Sequence, residues 1–180
     1  MRSNFENFGL TGKLLESDYF GPSVRISAES IKFLKDFGRP AQRGGVYLPR
    51  EKSIEYVRKF YAQDPHNPQK PIAQELFRAL LKKLSIKDAE KLSFYSAIDT
   101  PLDFFHGTDG FFELDNVRLA LDLTANLNKD EDENFNVDFV LYPFSDKTKD
   151  EYSYSQEMEE VSSFLAKMFR EKIKKQSQKN

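Results

Sequence analysis

Two aspartates, Asp109 and Asp122, stand where a short hairpin would bring them together. They lie at either end of residues 107–124. Two β-type runs, Gly110–Leu114 and Val117–Thr124, flank the dipeptide Asp115-Asn116. Asp and Asn tolerate positive φ, so a two-residue primed turn is expected there. That turn sets a register. Leu114 then faces Val117, Phe112 faces Leu119, and Gly110 faces Leu121, which makes one face apolar. On the other face Glu113 meets Arg118, Phe111 meets Ala120, and Asp109 meets Asp122. Opposed side chains in such a ladder have Cβ atoms about 5 Å apart, and like charges repel there. A bound divalent cation or a shared proton would relieve the repulsion. The plain alternative is a turn aspartate and an edge aspartate, each paired with a lysine or arginine.

The residues available narrow the chemistry. The chain of 180 residues has no Cys and two His, His66 and His106. Disulfides, thiolate zinc sites, Cys nucleophiles and His-rich metal sites are therefore excluded. A metal would be held mainly by oxygen, which favours Mg²⁺, Mn²⁺ or Ca²⁺. The net charge is −2, with 27 Lys and Arg, so there is no global basic signal for nucleic acid or membrane, while a local basic patch is compatible with the sequence. No apolar leader or run of about 20 apolar residues is present, and a cytoplasmic protein without membrane contact is expected.

The elements that must position the aspartates follow from periodicity and punctuation. Residues 1–26 read as an irregular arm that packs some aromatics. Ser27 caps a helix over Ala28–Phe37, with Gly38 past its end. Residues 38–49 read as a loop leading into a short strand, and 50–63 as a second helix. The Pro-rich break from Asp64 to Pro71 is the best internal boundary. It divides an N-terminal helical extension, 1–70, from a core, 71–180. Pro71 opens a third helix, about Ile72–Leu84, with Leu76, Leu80 and Leu84 spaced by four and Glu75 as its one internal carboxylate. Leu92–Ile98 reads as a strand, and Thr100–Thr108 as a connection containing Asp103 and His106. Residues 125–134 read as an acidic loop with Lys129 in its middle. Asn136–Tyr142 reads as a further strand. A long amphipathic helix runs from about Glu151 to Lys175, with an apolar stripe including Met158, Leu165 and Phe169.

The expected fold is an α/β or α+β domain with a mixed sheet of about four strands flanked by helices. Helix with Glu, strand, Asp before a second strand, acid on a third strand, fourth strand and helix is an order that resembles the PD-(D/E)xK nuclease superfamily, the restriction-endonuclease-like fold. Gly107-Thr108-Asp109 matches its first acid, and Asp122-Leu123-Thr124 its acid-x-Lys position. Glu75 matches the helix glutamate of many members. The resemblance covers roughly residues 71–142. It implies Mg²⁺- or Mn²⁺-dependent hydrolysis of a nucleic-acid phosphodiester, with Asp109 and Asp122 as metal ligands and Glu75 as a supporting ligand or water orienter. Thr124 stands where the pattern has Lys, and Lys129 is the expected stand-in. The family's helix between the third and fourth strands is absent or replaced by the short acidic loop. The alternatives are an inactive module of the same fold that binds nucleic acid or a protein, and an interaction protein whose C-terminal helix docks a partner or a second copy.

Overall fold

Residues 110–123 form the expected hairpin. In the computed structural model, which describes residues 10–42, 44–125 and 137–178, β4 (Gly110–Leu114) pairs antiparallel with β5 (Val117–Leu123). The pairs are Gly110–Leu121, Phe111–Ala120, Phe112–Leu119, Glu113–Arg118 and Leu114–Val117. Asp115 takes φ 54°, as the first central residue of a primed turn must. β3 (Leu92–Ser96) pairs antiparallel with β4, and β6 (Phe139–Leu141) pairs parallel with β5. The described residues thus form a four-stranded mixed sheet in the order β3-β4-β5-β6. Lys129 lies in the β5–β6 connection, outside the described residues.

Both faces of this sheet are covered. Phe94, Phe112, Leu119 and Leu121 point to the larger core and are fully buried. They meet α4 (Pro71–Lys83) through Ala73, Leu76, Phe77 and Leu80, and α6 (Glu151–Ser177) through Met158, Leu165, Ala166 and Phe169. Each aromatic side chain so buried contributes roughly 2–3 kcal/mol. The apolar stripe of α6 is thereby packed within the chain. On the opposite face Phe111 packs with Ile54 and Val57 of α3 (Arg50–Phe60), Leu102 of α5 (Pro101–His106), and Ala97.

α2 (Ala28–Phe37) begins as its sequence requires. Ser27 Oγ accepts from the Ser30 N–H at 3.1 Å, and Ser30 Oγ accepts from the Ser27 N–H at 2.8 Å. Two orphan donors are satisfied by this exchange. After Gly38, where a loop leading into a short strand was expected, strand β2 (Val46–Tyr47) forms and pairs back on a second short strand, β1 (Arg39–Pro40).

Two further stretches depart from expectation. Leu10–Phe20 is a helix, α1, where an irregular arm was expected. Its end, Tyr19 and Phe20, is buried in the larger core, and tertiary packing stabilises a stretch with little apolar periodicity of its own. Pro101–His106 is a helical turn and a half where a connection was expected. Thr100 Oγ1 accepts from the Leu102 N–H at 3.2 Å, Pro101 sits in the first turn, and Gly107 closes the end in the left-handed region at φ 59°.

Helices α1, α2 and α3 and the small β1–β2 hairpin precede Pro71, and α1 and α3 contribute to opposite faces of the sheet. α1 packs on the larger core and α3 on the smaller one. Ser96 Oγ donates to Gly21 O at 2.8 Å, and Ser23 Oγ to Ile98 O at 2.5 Å, tying the segment after α1 to β3. Among the described residues no helix is long and apolar enough to cross a membrane.

Candidate metal centre

Antiparallel pairing puts the start of β4 and the end of β5 at the same end of the sheet, so Asp109 and Asp122 share that end. Both are buried, at 4% and 5% exposure. They are not a regular ladder pair, because the ladder stops at Gly110–Leu121. The Asp109 N–H donates to Leu121 O at 2.9 Å, and its own carbonyl accepts from the Ala97 N–H at 2.8 Å. Its carboxylate Oδ2 accepts from the Leu123 N–H at 2.7 Å. The backbone therefore leaves the ladder at Asp109, and the side chain is held against the edge of β5.

Two more carboxylates join this end. Asp103 comes from α5, whose N-terminal side fixes it: Asp103 Oδ2 accepts from the Asp99 N–H at 2.9 Å, with Asp99 itself at φ 59°. Glu16 comes from α1. One carboxylate oxygen from each of Glu16, Asp103 and Asp109 lies within 4.8 Å of the others. Glu16 and Asp103 are half-buried. Lys13, one turn before Glu16, donates from Nζ to Asp99 Oδ1 at 2.7 Å on the rim.

The electrostatics register the crowding. Burial pushes the Asp109 carboxyl up to about 8, and the charges of Glu16, Asp122 and Asp103 add to the rise, while the Leu123 amide opposes it. Burial also raises Asp103 and Glu16. Asp122 pushes each of them further in the same direction, and Lys13 pulls each back. Carboxylates this close disfavour one another's ionised forms, and a cation or a proton among them relieves the repulsion. The donor set is entirely carboxylate oxygen, which fits a hard divalent cation such as Mg²⁺ or Mn²⁺ and suits neither soft nor imidazole-seeking metals. Next to Asp109 in the chain, Thr108 is buried with its hydroxyl lacking a hydrogen-bond partner among the described residues.

The residues named from the sequence divide. Asp109 comes together with Asp103 and Glu16, while Asp122 is buried at the same end of the sheet and is not one of the three whose carboxylate oxygens cluster within 4.8 Å. Glu75 does not belong to that group: its carboxylate accepts from Lys147 Nζ at 2.8 Å and from the Tyr154 hydroxyl at 2.9 Å, and these partners hold it below its ordinary pKa despite partial burial. Thr124 is buried at the end of β5, and its N–H donates to Leu141 O at 3.0 Å. His106 Nε2 bonds Leu48 O at 2.9 Å, a loop-holding role. Sequence reasoning missed Glu16 and Lys13, and left Asp103 in a connection without a role. The i, i+3 spacing of Lys13 and Glu16 was the available signal for a shared helix face.

No protein-family model, no curated protein and no solved structure matches this chain significantly.

Proposed function

We propose that this chain is a metal-dependent nuclease that hydrolyses a phosphodiester of DNA or RNA on a restriction-endonuclease-like core. The observation that carries the reading is the convergence of Glu16, Asp103 and Asp109 within 4.8 Å, with the buried Asp122 acting on all three. The strand order supports it too: an antiparallel trio followed by a parallel fourth strand, with acids before the second strand and at the end of the third.

In this reading Asp109 and Asp122 hold Mg²⁺ or Mn²⁺, with Asp103 and Glu16 completing or orienting its shell. Bound there, such a cation would supply Lewis-acid chemistry toward a phosphoryl oxygen and a water, with these carboxylates holding it. The chain supplies the rest. The Leu123 and Asp99 amides fix the Asp109 and Asp103 carboxylates before substrate arrives, and such preorganisation is what a charged transition state rewards. Lys13 takes the place of the motif lysine on the rim, offering positive charge beside the acids. Lys129 remains the alternative for that role. Glu75 is assigned to anchoring the segment after β6 onto α4.

The test is calorimetry with Mn²⁺ and Mg²⁺ on wild type and Asp122→Ala, followed by cleavage of DNA and RNA. Binding that vanishes in the variant, with metal-dependent cleavage in wild type, is expected. A wild type that binds neither ion would remove the active-nuclease reading. Thr124 at the lysine position favours a second reading, an inactive module of the same fold that binds nucleic acid or a protein partner. That module would bind its partner with the acids removed and cleave nothing.

A further inference from the structure

The helix that supplies Asp103 also presents an aromatic ring to solvent. Phe104 is 64% exposed, unlike the neighbouring core-facing Leu102, which is fully buried. Successive helical residues are turned by about 100°. Asp103, Phe104 and Phe105 therefore lie in sequence around α5, with Phe104 between the acidic side and the Phe105 side. On the acidic side, Lys13 Nζ sits 4.7 Å from the Phe104 ring centroid. On the other side, Phe105 meets Tyr47 of β2 edge-on, with centroids 5.4 Å apart.

Tyr47 leads into a cleft of about 310 Å³ lined by Phe37, Gly38, Arg39, Tyr47 and Pro49. That is room for one base or one nucleotide, at the small end of ligand pockets. Phe37 is 48% exposed there. The Arg39 guanidinium lies 4.8 Å from the Tyr47 ring centroid. Among the described residues Arg39 has no carboxylate partner, so the ring holds it in place and its N–H donors remain available to an anion.

We propose that Phe104, Tyr47 and Arg39 form a track for single-stranded nucleic acid that leads away from the acidic end of the sheet. The inference rests on the nuclease reading for its direction, and it specifies the substrate class. Exposed rings alternating with cations bind a strand by stacking its bases while guanidinium and ammonium groups meet its phosphates. A paired and stacked duplex presents no free base face to such rings, so unpaired nucleotides are selected. The exposed Phe104 ring on α5 and the half-buried Tyr47 ring on β2, with Lys13 (itself paired with Asp99) over the first and Arg39 over the second, match this chemistry better than they match an apolar partner. The Phe104 ring stays 64% exposed beneath the Lys13 ammonium, and the Arg39 charge would be left unpaired against a hydrophobic surface.

The experiment is fluorescence anisotropy with labelled oligothymidylate, oligouridylate and a duplex of equal length, in EDTA at low ionic strength. EDTA removes any metal-mediated contact at the acidic site, whose remaining negative charge acts on single strand and duplex alike. Single strands are expected to bind about tenfold or more tighter than the duplex, with the DNA and RNA arms showing which sugar is preferred. Phe104→Ala and Arg39→Ala should each weaken single-strand binding about tenfold, the usual scale for loss of one stacking ring or one phosphate contact. Phe104→Tyr should restore it, and Arg39→Ala should lower the slope of log K against log salt by about 0.7. Both residues are exposed, so far-UV circular dichroism should match wild type. Equal or tighter duplex binding, or unchanged binding in both variants, would overturn the track. Mn²⁺ calorimetry on the same samples reports separately on the acidic site. Absent metal binding with Phe104-dependent strand binding would remove the nuclease reading and leave the track standing.

Discussion

The Asp109 carboxylate accepts a 2.7 Å hydrogen bond from the Leu123 amide, across the end of the hairpin where the ladder itself has stopped. This bond replaces the cross-strand pairing that strict alternation would have given Asp109 with Asp122. It holds a buried carboxyl in place within 4.8 Å of those of Glu16 and Asp103. The cost is that the ionised form of Asp109 is poorly solvated, and its pKa rises to about 8, chiefly through burial.

That rise makes stability fall with pH in metal-free buffer. Between the ordinary value of 3.8 and about 8, the folded chain keeps a proton on Asp109 that the unfolded chain has released. The unfolded state then binds fewer protons, so unfolding becomes easier as pH rises through this window. Each pKa unit is worth about 1.4 kcal/mol, and about 1 kcal/mol moves Tm by roughly 2–4 °C at this chain length. Asp109→Asn should raise Tm by several degrees at pH 8 and change it little at pH 4. Saturating Mn²⁺ should flatten the wild-type pH slope. Thermal melts across the pH range with EDTA or Mn²⁺ check this, and a wild type whose Tm climbs steadily from pH 4 to 8 without metal contradicts it.

Glu16 and Glu75 should separate cleanly. Glu16→Gln is expected to weaken Mn²⁺ binding about tenfold or more, since it removes a charge from the 4.8 Å cluster while relieving repulsion in the apo protein. Glu75→Gln should leave Mn²⁺ affinity unchanged. It weakens two hydrogen bonds, to Lys147 and Tyr154, and should cost roughly 1–2 kcal/mol. Calorimetry and urea denaturation on the same two variants give both readouts. Reversed roles, with Glu75→Gln losing the metal, would return Glu75 to the site.

The local parts of this structure were legible. Asp115-Asn116 between alternating runs fixed the hairpin register, and Ser27 with Gly38 bounded α2 to the residue. The short helix α5 carried full punctuation in Thr100, Pro101 and Gly107, but the sequence reading passed over it. What was not legible depends on distant contacts. Glu75 finds Lys147 and Tyr154 at sequence separations of 72 and 79, which no local pattern reports. Glu16 reaches the acids only because α1 docks Tyr19 and Phe20 into the core, a result of tertiary packing on a weakly patterned segment.

The face of the sheet opposite the larger core should be sensitive at Glu113. Its carboxylate accepts from Arg118 Nε at 2.8 Å across the β4–β5 ladder and from Arg58 Nε at 2.7 Å on α3. The Glu113 side chain is only 13% exposed. Glu113→Ala leaves two half-covered guanidinium groups without their shared acceptor, and a loss of roughly 2 kcal/mol is expected from that arrangement. Glu113→Gln should recover part of it. Because the network lies away from the acids, Mn²⁺ affinity should be unchanged in both. Chemical denaturation measures the loss, and a Glu113→Ala midpoint equal to wild type would mean that the network adds nothing.

Lys13 should matter to rate and not to stability. Its pair with Asp99 is exposed on both sides, at 55% and 66%, and pairs of that kind contribute about 0–1 kcal/mol. Lys13→Ala is therefore expected to keep Tm within a few degrees of wild type. The ammonium group nevertheless sits beside the acids and draws Glu16 and Asp103 toward ionisation. If it supplies the charge that Thr124 does not, its loss removes transition-state stabilisation worth roughly a hundredfold in kcat. Mn²⁺ affinity should fall far less than kcat, since Lys13 is no ligand. Lys13→Arg should recover part of the rate. Single-turnover cleavage by the three proteins, with calorimetry alongside, makes the comparison. A Lys13→Ala enzyme that cleaves at the wild-type rate would pass the role to another cation, and Lys129→Ala would be the next variant to measure.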